Sequence, residues 1–235
     1  MKCLAILQTV LNTHPIFGEI EDGLKKNDKI YKPLTKLEQE NLVRFIEMNK
    51  TFFDRYGEEG IENDPSFQQV IFYCVVRQGS KFFVFQRGGK EAGSKETRLA
   101  MKISAGVGGH IEPFDSKITD ALYRELDEEL IFRKGGNPII FQNNSSGFNL
   151  ELFHSIADVD VIGMLKDKVF EIDRVHIGLV TIVTLKDESL DVSIRENEGN
   201  VFGQFMDREE YEKFTTSGSA VPEIWTQILA ENSII

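Results

Sequence analysis

The sequence predicts an α/β fold in which strands lie on both sides of one amphipathic helix along the chain. Residues 69–76 and 81–86 are rich in β-branched and aromatic residues and flank a Gln-Gly-Ser turn, a pattern typical of a β-hairpin. Residues 118–130 repeat apolar side chains at helical spacing, which predicts a helix with one buried face. Residues 173–185 form an almost continuous apolar run, which predicts a buried strand.

Composition sets limits on the class of protein. The chain has 235 residues, of which 41% are hydrophobic and 10% aromatic, enough for a large folded core. Its net charge of −11 argues against nonspecific binding to nucleic acid or to anionic membranes, so neither partner is expected. The two cysteines, Cys3 and Cys74, show no zinc-ligand spacing, which favours a reduced, cytoplasmic location.

Residues 1–66 are predicted to form an N-terminal extension packed on a domain of residues 67–235. The extension contains a well-marked helix, because Thr35 and Glu38 have the spacing of a capping box and apolar residues then recur, with Gly57 as the expected stop. Gly18, Gly23 and the run KKND, residues 25–28, are predicted to lie in loop. A lid, a dimer surface and an edge of the substrate pocket are all compatible with this extension.

The remaining elements follow in order. Residues 3–11 predict a strand or a helix, because the apolar run is too short and too weakly charged at its start for a signal peptide. Residues 139–141 and 150–157 are predicted as strands around a turn, and residues 201–206 as another strand. Helices are expected after Asp207 and after Pro222.

The central helix carries an acidic flank beside its apolar stripe. Ile118, Leu122 and Leu126 share one face, while Glu125, Glu128 and Glu129 cluster next to it. Like charges at this spacing destabilise a helix by a few tenths of a kcal/mol per pair, so a bound cation is expected to offset them. Mg²⁺ is suited to this role because it prefers oxygen ligands. A solvated acidic face is the structural alternative.

The segment GGHIEPFDSKITDALYRELDEELIF, residues 108–132, resembles the Nudix box. That pattern is a glycine, five residues, Glu, seven residues, and then Arg-Glu-apolar-x-Glu-Glu-x-Gly-apolar. Gly109 matches the opening glycine, and residues 124–129, RELDEE, match the helical half without a gap. The sequence departs from the pattern in three ways: Asp115 stands in place of the glutamate, eight residues rather than seven separate it from Arg124, and Ile131 replaces the late glycine.

The resemblance implies a Nudix-type α/β/α sandwich around a mixed β-sheet. It also implies hydrolysis of a diphosphate linkage in a nucleoside or sugar diphosphate derivative, by attack of water at phosphorus with Mg²⁺ or Mn²⁺ as cofactor. The flanking segments ENDPSFQQ and VGGHIEPFD are similar to a MutT-like predicted phosphoesterase branch of this superfamily. Homodimers are common in it.

The resemblance assigns roles to individual residues. Glu125 and Glu129 are implied as the principal metal ligands, with Glu128 as a ligand or catalytic neighbour. The Gly108 carbonyl is implied as a further ligand, and Arg124 as the residue that orients a carboxylate. Further candidates have structural alternatives as turn, ion-pair or solvated residues: Glu112 and Asp115 near the metal, His110, Arg87 and Arg98 near the substrate, and Glu196 and Glu198 as general base.

Two other functions remain open at this point. The irregular loop half of the motif is compatible with a binding or regulatory module that recognises a nucleotide without hydrolysing it. The isoprenoid diphosphate isomerase branch of the fold is disfavoured, because neither cysteine lies near a plausible reactive position.

Overall fold

Helices alternate with strands of a mixed β-sheet, which confirms the predicted α/β fold class. The structure is a computed structural model, and it describes residues 1–88, 101–143, 147–169, 172–195, 202–218 and 220–235. Within this part of the chain, no helix is long and apolar enough to cross a membrane.

The α-helices of the described residues are α1 Gln8–Leu11, α2 Pro15–Leu24, α3 Lys36–Asn49, α4 Ile118–Glu129, α5 Leu150–Ile156, α6 Arg208–Thr216 and α7 Ile224–Glu231. The strands are β1 Lys2–Leu7, β2 Lys29–Pro33, β3 Thr51–Asp54, β4 Phe67–Gln78, β5 Lys81–Gln86, β6 Ile103–Ser104, β7 Leu130–Lys134, β8 Asn137–Pro138, β9 Gln142–Asn143, β10 Gly147–Phe148, β11 Ala157–Asp167, β12 His176–Leu185, β13 Leu190–Ile194 and β14 Phe202–Met206.

Contacts divide the chain into two compact units. The first unit comprises Met1–Tyr73, Gly108–Leu122 and Val161–Thr181, and the second comprises Cys74–Val107, Tyr123–Asp160 and Ile182–Ile235. Residues 1–66 therefore belong with several later segments of the sequence. The boundary between residues 66 and 67 stays a prediction.

In the first unit, strand pairing ties the N-terminal residues to later ones. Strand β1 pairs antiparallel with β3, from Lys2 opposite Asp54 to Ala5 opposite Thr51. The end of β1 also pairs with the start of β4, and the backbone N–H of Leu4 donates to the Ile111 carbonyl at 2.8 Å. Strands β2 and β11 are antiparallel neighbours. These bonds explain why residues 1–66 pack against other segments.

In the second unit, β5 is the most connected strand. It forms the predicted hairpin with the end of β4, where Gln78 lies opposite Lys81. It also pairs antiparallel with β14 and with β6. Separately, β7 pairs antiparallel with β13, from Leu130 opposite Ile194 to Lys134 opposite Leu190. This last pairing fixes the chain immediately after α4.

The helix predicted after Thr35 is confirmed at its start and was predicted too long at its end. The Thr35 hydroxyl accepts from the Glu38 backbone N–H, and the Glu38 carboxylate accepts from the Thr35 N–H, so the capping box is complete. The helix ends at Asn49 rather than near Gly57, because residues 51–54 are drawn into β3.

Two further segments differ from the prediction. Gly18 and Gly23 lie inside α2 rather than in a loop, because Pro15 begins the helix and its apolar face is buried. Leu150–Ile156 is a helix rather than a strand, since the Asn149 side chain accepts from the Leu152 N–H at 3.0 Å and caps it. Residues 139–141 contain no strand.

Candidate active site

The apolar stripe predicted on α4 is buried in the structure. Ile118, Leu122 and Leu126 are at most 2% exposed, and Leu130 directly after the helix is equally buried. At the start of the helix, the backbone N–H of Ile118 donates to Glu47 Oε1. Packing on this stripe holds the helix in one orientation, so the acidic flank beside it is presented from a rigid element.

Arg124 holds two of the three glutamates on the flank. Its Nη1 atom donates to Glu125 Oε1 at 2.6 Å and to Glu128 Oε2 at 3.2 Å. The Arg124 and Glu125 side chains are only 12% and 11% exposed, whereas Glu128 is 56% exposed. A buried carboxylate needs such a partner, because it is costly to remove an isolated charge from water. Both readings of Arg124, as a carboxylate-orienting residue and as an i,i+4 partner of Glu128, therefore describe real contacts.

The charges of Glu125 and Glu129 act on the thiol of Cys74. Burial raises the pKa of Cys74 well above its usual value, and the carboxylates of Glu125 and Glu129 raise it further. The two carboxylates are therefore close enough to the thiol to act on it electrostatically. Carboxylate oxygens are the ligands that a hard cation such as Mg²⁺ prefers.

Arg195 caps the C-terminal end of α4. Its backbone N–H donates to the Glu129 carbonyl at 2.8 Å. Its guanidinium donates to the carbonyls of Asp127, at 2.6 and 3.1 Å, and of Leu130, at 3.3 Å. A guanidinium at a helix C-terminus satisfies exposed carbonyls and opposes the negative end of the helix dipole. Arg195 was not predicted as a site residue, and the sequence gives no local signal for this long-range contact.

Burial raises the pKa of Asp127 above its ordinary value, although Arg195 and Gln142 oppose that shift. Asp127 lies directly before Glu128 in the sequence, and it was not among the predicted site residues.

In the first unit, the glycine loop is fixed by its backbone. Gly108 has φ +144°, and a Cβ atom there would lie 2.1 Å from the Phe72 carbonyl oxygen. The Gly109 carbonyl accepts from the Phe72 N–H, and His110 forms an antiparallel β-bridge with Ile71. Gly108 is thus required by a close approach to a neighbouring strand.

His110 lies in a polar network of the first unit. Its Nε2 atom is 3.3 Å from His176 Nε2, and its Nδ1 atom is 3.5 Å from Arg55 Nη1. His176 is buried. Arg55 in turn pairs with Glu62 at 2.6 Å. These contacts give His110 a structural role in the loop.

The loop acids bond locally. Asp115 is buried, and its Oδ2 atom accepts from the Glu112 N–H at 2.8 Å. The Asp115 N–H donates to the Glu112 carbonyl at 3.0 Å, which closes the turn. The aspartate that replaces the box glutamate therefore stabilises the longer loop.

Of the remaining candidates, the structure describes only Arg87. Arg87 forms an ion pair with Glu223 at 3.0 Å, and Glu223 also accepts from the Ser104 hydroxyl. This is the salt-bridge alternative for Arg87. Arg98, Glu196 and Glu198 lie outside the described residues.

Among the residues that the structure describes, no group of three His, Cys, Asp or Glu side chains converges on a point that could hold a metal ion. The carboxylate oxygens of Glu125 and Glu129 are nevertheless of the type that a hard divalent cation prefers. Glu125 and Glu129 are one helical turn apart, both are close enough to Cys74 to raise the pKa of its thiol, and they offer only oxygen.

No protein-family model matches the chain. Protein YmaB of Bacillus subtilis (strain 168) is 26% identical over 176 residues, which make up 72% of this chain and 73% of YmaB. Among solved structures, Tm1382, described as a candidate Nudix hydrolase, is 20% identical, with a TM-score of 0.58. That match covers 98% of this chain and 97% of Tm1382, residues 1–66 largely included.

A bifunctional NMN adenylyltransferase/ADP ribose pyrophosphatase from Francisella tularensis, solved with AMP and a manganese ion, matches at 12% identity. It covers 70% of this chain and 42% of the other, with a TM-score of 0.43, too low to support an argument. The likeness to Tm1382 is the one that defines the fold.

Proposed function

The chain has the Nudix fold, and on that premise we propose that it is a hydrolase dependent on Mg²⁺ or Mn²⁺. Its substrate would be a nucleoside or sugar diphosphate derivative, whose diphosphate linkage is cleaved by attack of water at phosphorus. The observation that carries the proposal is the acidic flank of α4, where Arg124 holds the buried Glu125 one turn before Glu129.

The arrangement of the flank supports metal binding over a solvated charge run. Glu125 is 8% exposed, although an acidic residue without a task is usually found in water. Arg124 offsets part of the charge on Glu125 and Glu128, because its Nη1 atom is bonded to one carboxylate oxygen of each. A cation bound at Glu125 and Glu129 would offset the charge that remains.

Arg124 and the three glutamates of α4 would have different roles in metal binding and catalysis. Glu125 and Glu129 would hold the cation, and Arg124 would fix the direction of the Glu125 carboxylate. When bound, the cation would neutralise phosphate oxygens and lower the pKa of a water molecule. Glu128, more exposed than its neighbours, would be available to the substrate side.

The general base is proposed to come from Glu196 or Glu198. Both follow Arg195, whose backbone and side chain are bonded to the end of α4. General-base catalysis requires a proton acceptor within hydrogen-bond reach of the attacking water, and a carboxylate can serve as one. Gly108, Glu112 and Asp115 stay proposed contributors to the metal site through the glycine loop.

Product analysis tests the proposal. The protein would be incubated with nucleoside triphosphates, ADP-ribose, dinucleoside polyphosphates and nucleotide sugars, with Mg²⁺, with Mn²⁺ or with chelator, in ¹⁸O-labelled water. We expect one substrate class to be cleaved only with metal, and ¹⁸O to appear in a phosphate product.

Two outcomes would contradict it. Binding of a nucleotide without cleavage of any compound would establish a binding module instead. Conversion of an isoprenoid diphosphate, added as a further probe, without phosphate release would establish an isomerase. The fold alone is common to all three functions.

A further inference from the structure

The first unit contains a polar pocket formed by its own elements. The pocket has a volume of about 290 Å³. Helix α2 contributes Glu21 and Lys25 to its wall, β11 and the residues after it contribute Lys166 and Lys168, and Gln68 and Arg174 complete the polar lining. None of these residues belongs to the acidic flank or the glycine loop.

The lining is strongly cationic for a chain of net charge −11. Four cationic side chains face one carboxylate, that of Glu21. Three of them are lysines with ion pairs: Lys166 with Glu21 at 2.9 Å, Lys25 with Asp22 at 2.7 Å, and Lys168 with Asp28 at 3.5 Å. The Arg174 guanidinium is exposed and makes no ion pair with any described residue. It is therefore available to an anion from solution.

Lys166 is the most deeply placed of the four. It is 5% exposed, and burial lowers its pKa although Glu21 opposes the shift. A single partly exposed carboxylate thus compensates the buried ammonium incompletely. An additional negative group in the pocket would compensate it further.

Gln68 provides a second and independent observation. Its side chain is buried, and its Nε2 atom donates to the Arg174 carbonyl at 3.0 Å, which fixes the orientation of the amide. Its Oε1 atom is buried without any hydrogen-bond partner. Buried polar atoms are rarely left without one, so this lining residue has an acceptor that a further donor could satisfy.

We propose that the pocket binds a small phosphomonoester that carries hydroxyl groups, of the size of a sugar phosphate. The phosphate would pair first with Arg174, because a guanidinium binds two phosphate oxygens at once and Arg174 has no ion pair with a described residue, and the neighbouring lysines would add to the attraction. A ligand hydroxyl would donate to Gln68 Oε1 once the side chain turns that atom toward the pocket. The volume lies at the lower end of the range for small-molecule sites, roughly 300–1,000 Å³.

Calorimetric titration tests this inference without metal and without turnover, so its result is independent of the proposed hydrolase activity. The probes are ribose 5-phosphate, inorganic phosphate and ribose at constant ionic strength. We expect ribose 5-phosphate to bind one site per chain more tightly than phosphate, and ribose not to bind. Arg174→Gln should weaken ribose 5-phosphate binding about tenfold.

Lys26→Gln is the matched control, because Lys26 is an exposed cation next to Lys25 that does not line the pocket. It should change the affinity less than about twofold. Gln68→Met keeps the length of the side chain and removes its amide, so it should abolish the advantage of ribose 5-phosphate over phosphate.

Several results would overturn the inference. They are absence of saturable binding, equal weakening by Arg174→Gln and Lys26→Gln, and an unchanged preference for ribose 5-phosphate in a folded Gln68→Met variant.

Discussion

Arg124 determines how two glutamates of α4 are presented. One nitrogen atom, Nη1, is bonded to Glu125 at 2.6 Å and to Glu128 at 3.2 Å. The two carboxylate oxygens therefore cannot be farther apart than the sum of these distances. Because the side chain is largely buried, this geometry is held by packing as well as by charge.

Arg124→Lys should lower turnover by about 10- to 100-fold, because an ammonium group cannot hold both carboxylates with the same geometry. The apparent affinity for Mn²⁺ should fall in parallel. Steady-state kinetics over a range of Mn²⁺ concentrations measure both effects, with the exposed Arg44→Lys as control. Turnover within twofold of the wild type would show that Arg124 does not position the site.

Gly108 is required by space as well as by backbone angle. Gly108→Ala should destabilise the protein by more than about 2 kcal/mol, because the new Cβ atom would overlap the Phe72 carbonyl at 2.1 Å. Urea unfolding measures the change. Gly135→Ala is the matched control, since Gly135 also has a positive φ but has open space around it, and it should cost about 1 kcal/mol. Equal losses in the two variants would contradict the steric argument.

The end of α4 is set by tertiary structure rather than by a local stop signal. The Nudix pattern has a glycine where this chain has Ile131, and the structure runs directly from Glu129 into β7. Ile131 pairs with Ser193 of β13, and Arg195 follows immediately to cap the helix. The stripe of α4 was predictable because its period is local. Its exit was not, because the bonds that define it come from more than 60 residues away in sequence.

The distinction between local signals and long-range contacts also explains which of the other elements were predicted correctly. The hairpin of β4 and β5 and the cap at Thr35 were predicted, because turn and capping residues act on their neighbours. The end of α3 and the helix α5 were predicted wrongly. Pairing with β1 extended residues 51–54, and a single cap at Asn149 favoured a helix over a strand.

Arg195→Met should lower the free energy of unfolding by about 1–3 kcal/mol, because several helix carbonyls lose a charged donor. Urea denaturation measures this, and the exposed Arg44→Met should change stability by less than about 0.5 kcal/mol. Turnover should also fall, since Glu129 lies in the turn that Arg195 caps. A fully stable variant with reduced turnover would contradict the structural role of Arg195.

At the scale of the whole molecule, a buried polar network affects stability over a range of pH. Burial would raise the pKa of Glu62, but the hydrogen bonds and charge of Arg55 and a bond from Gln69 outweigh that effect, so its pKa is lowered below 4.5. The folded protein therefore keeps this carboxylate charged to lower pH than the unfolded chain does. The resulting stabilisation is complete above pH 4.5 and is lost as the pH falls through the lowered value.

Glu62→Gln should therefore be less stable than the wild type at pH 7, and the difference should shrink at a pH of about 3.5. The reason is that the unfolded wild-type chain takes up a proton at Glu62 below pH 4.5, which stabilises the unfolded state, whereas glutamine does not titrate. Urea unfolding of both proteins at the two pH values measures the change. A difference that stays constant would remove Glu62 from the groups responsible for acid sensitivity.

The sequence predicted the part of the candidate site whose residues are close together in the chain. Arg124 and the three glutamates follow each other on one helix, so their grouping followed from its period. The ion pair of Arg87 with Glu223 and the two bonds between Glu112 and Asp115 could not be read from spacing. They depend on which segments meet in the folded chain, and they leave Glu125 and Glu129 as the centre of the proposed site.

The most direct test of the proposed function compares turnover and Mn²⁺ binding of the wild type with those of Glu129→Gln, which keeps the shape of the side chain and removes its charge. Glu40→Gln, an exposed glutamate on α3, is the control. We predict that Glu129→Gln lowers turnover by at least about 100-fold and weakens Mn²⁺ binding while the fold is retained. Unchanged turnover and unchanged Mn²⁺ affinity in the folded variant would contradict a metal site on α4.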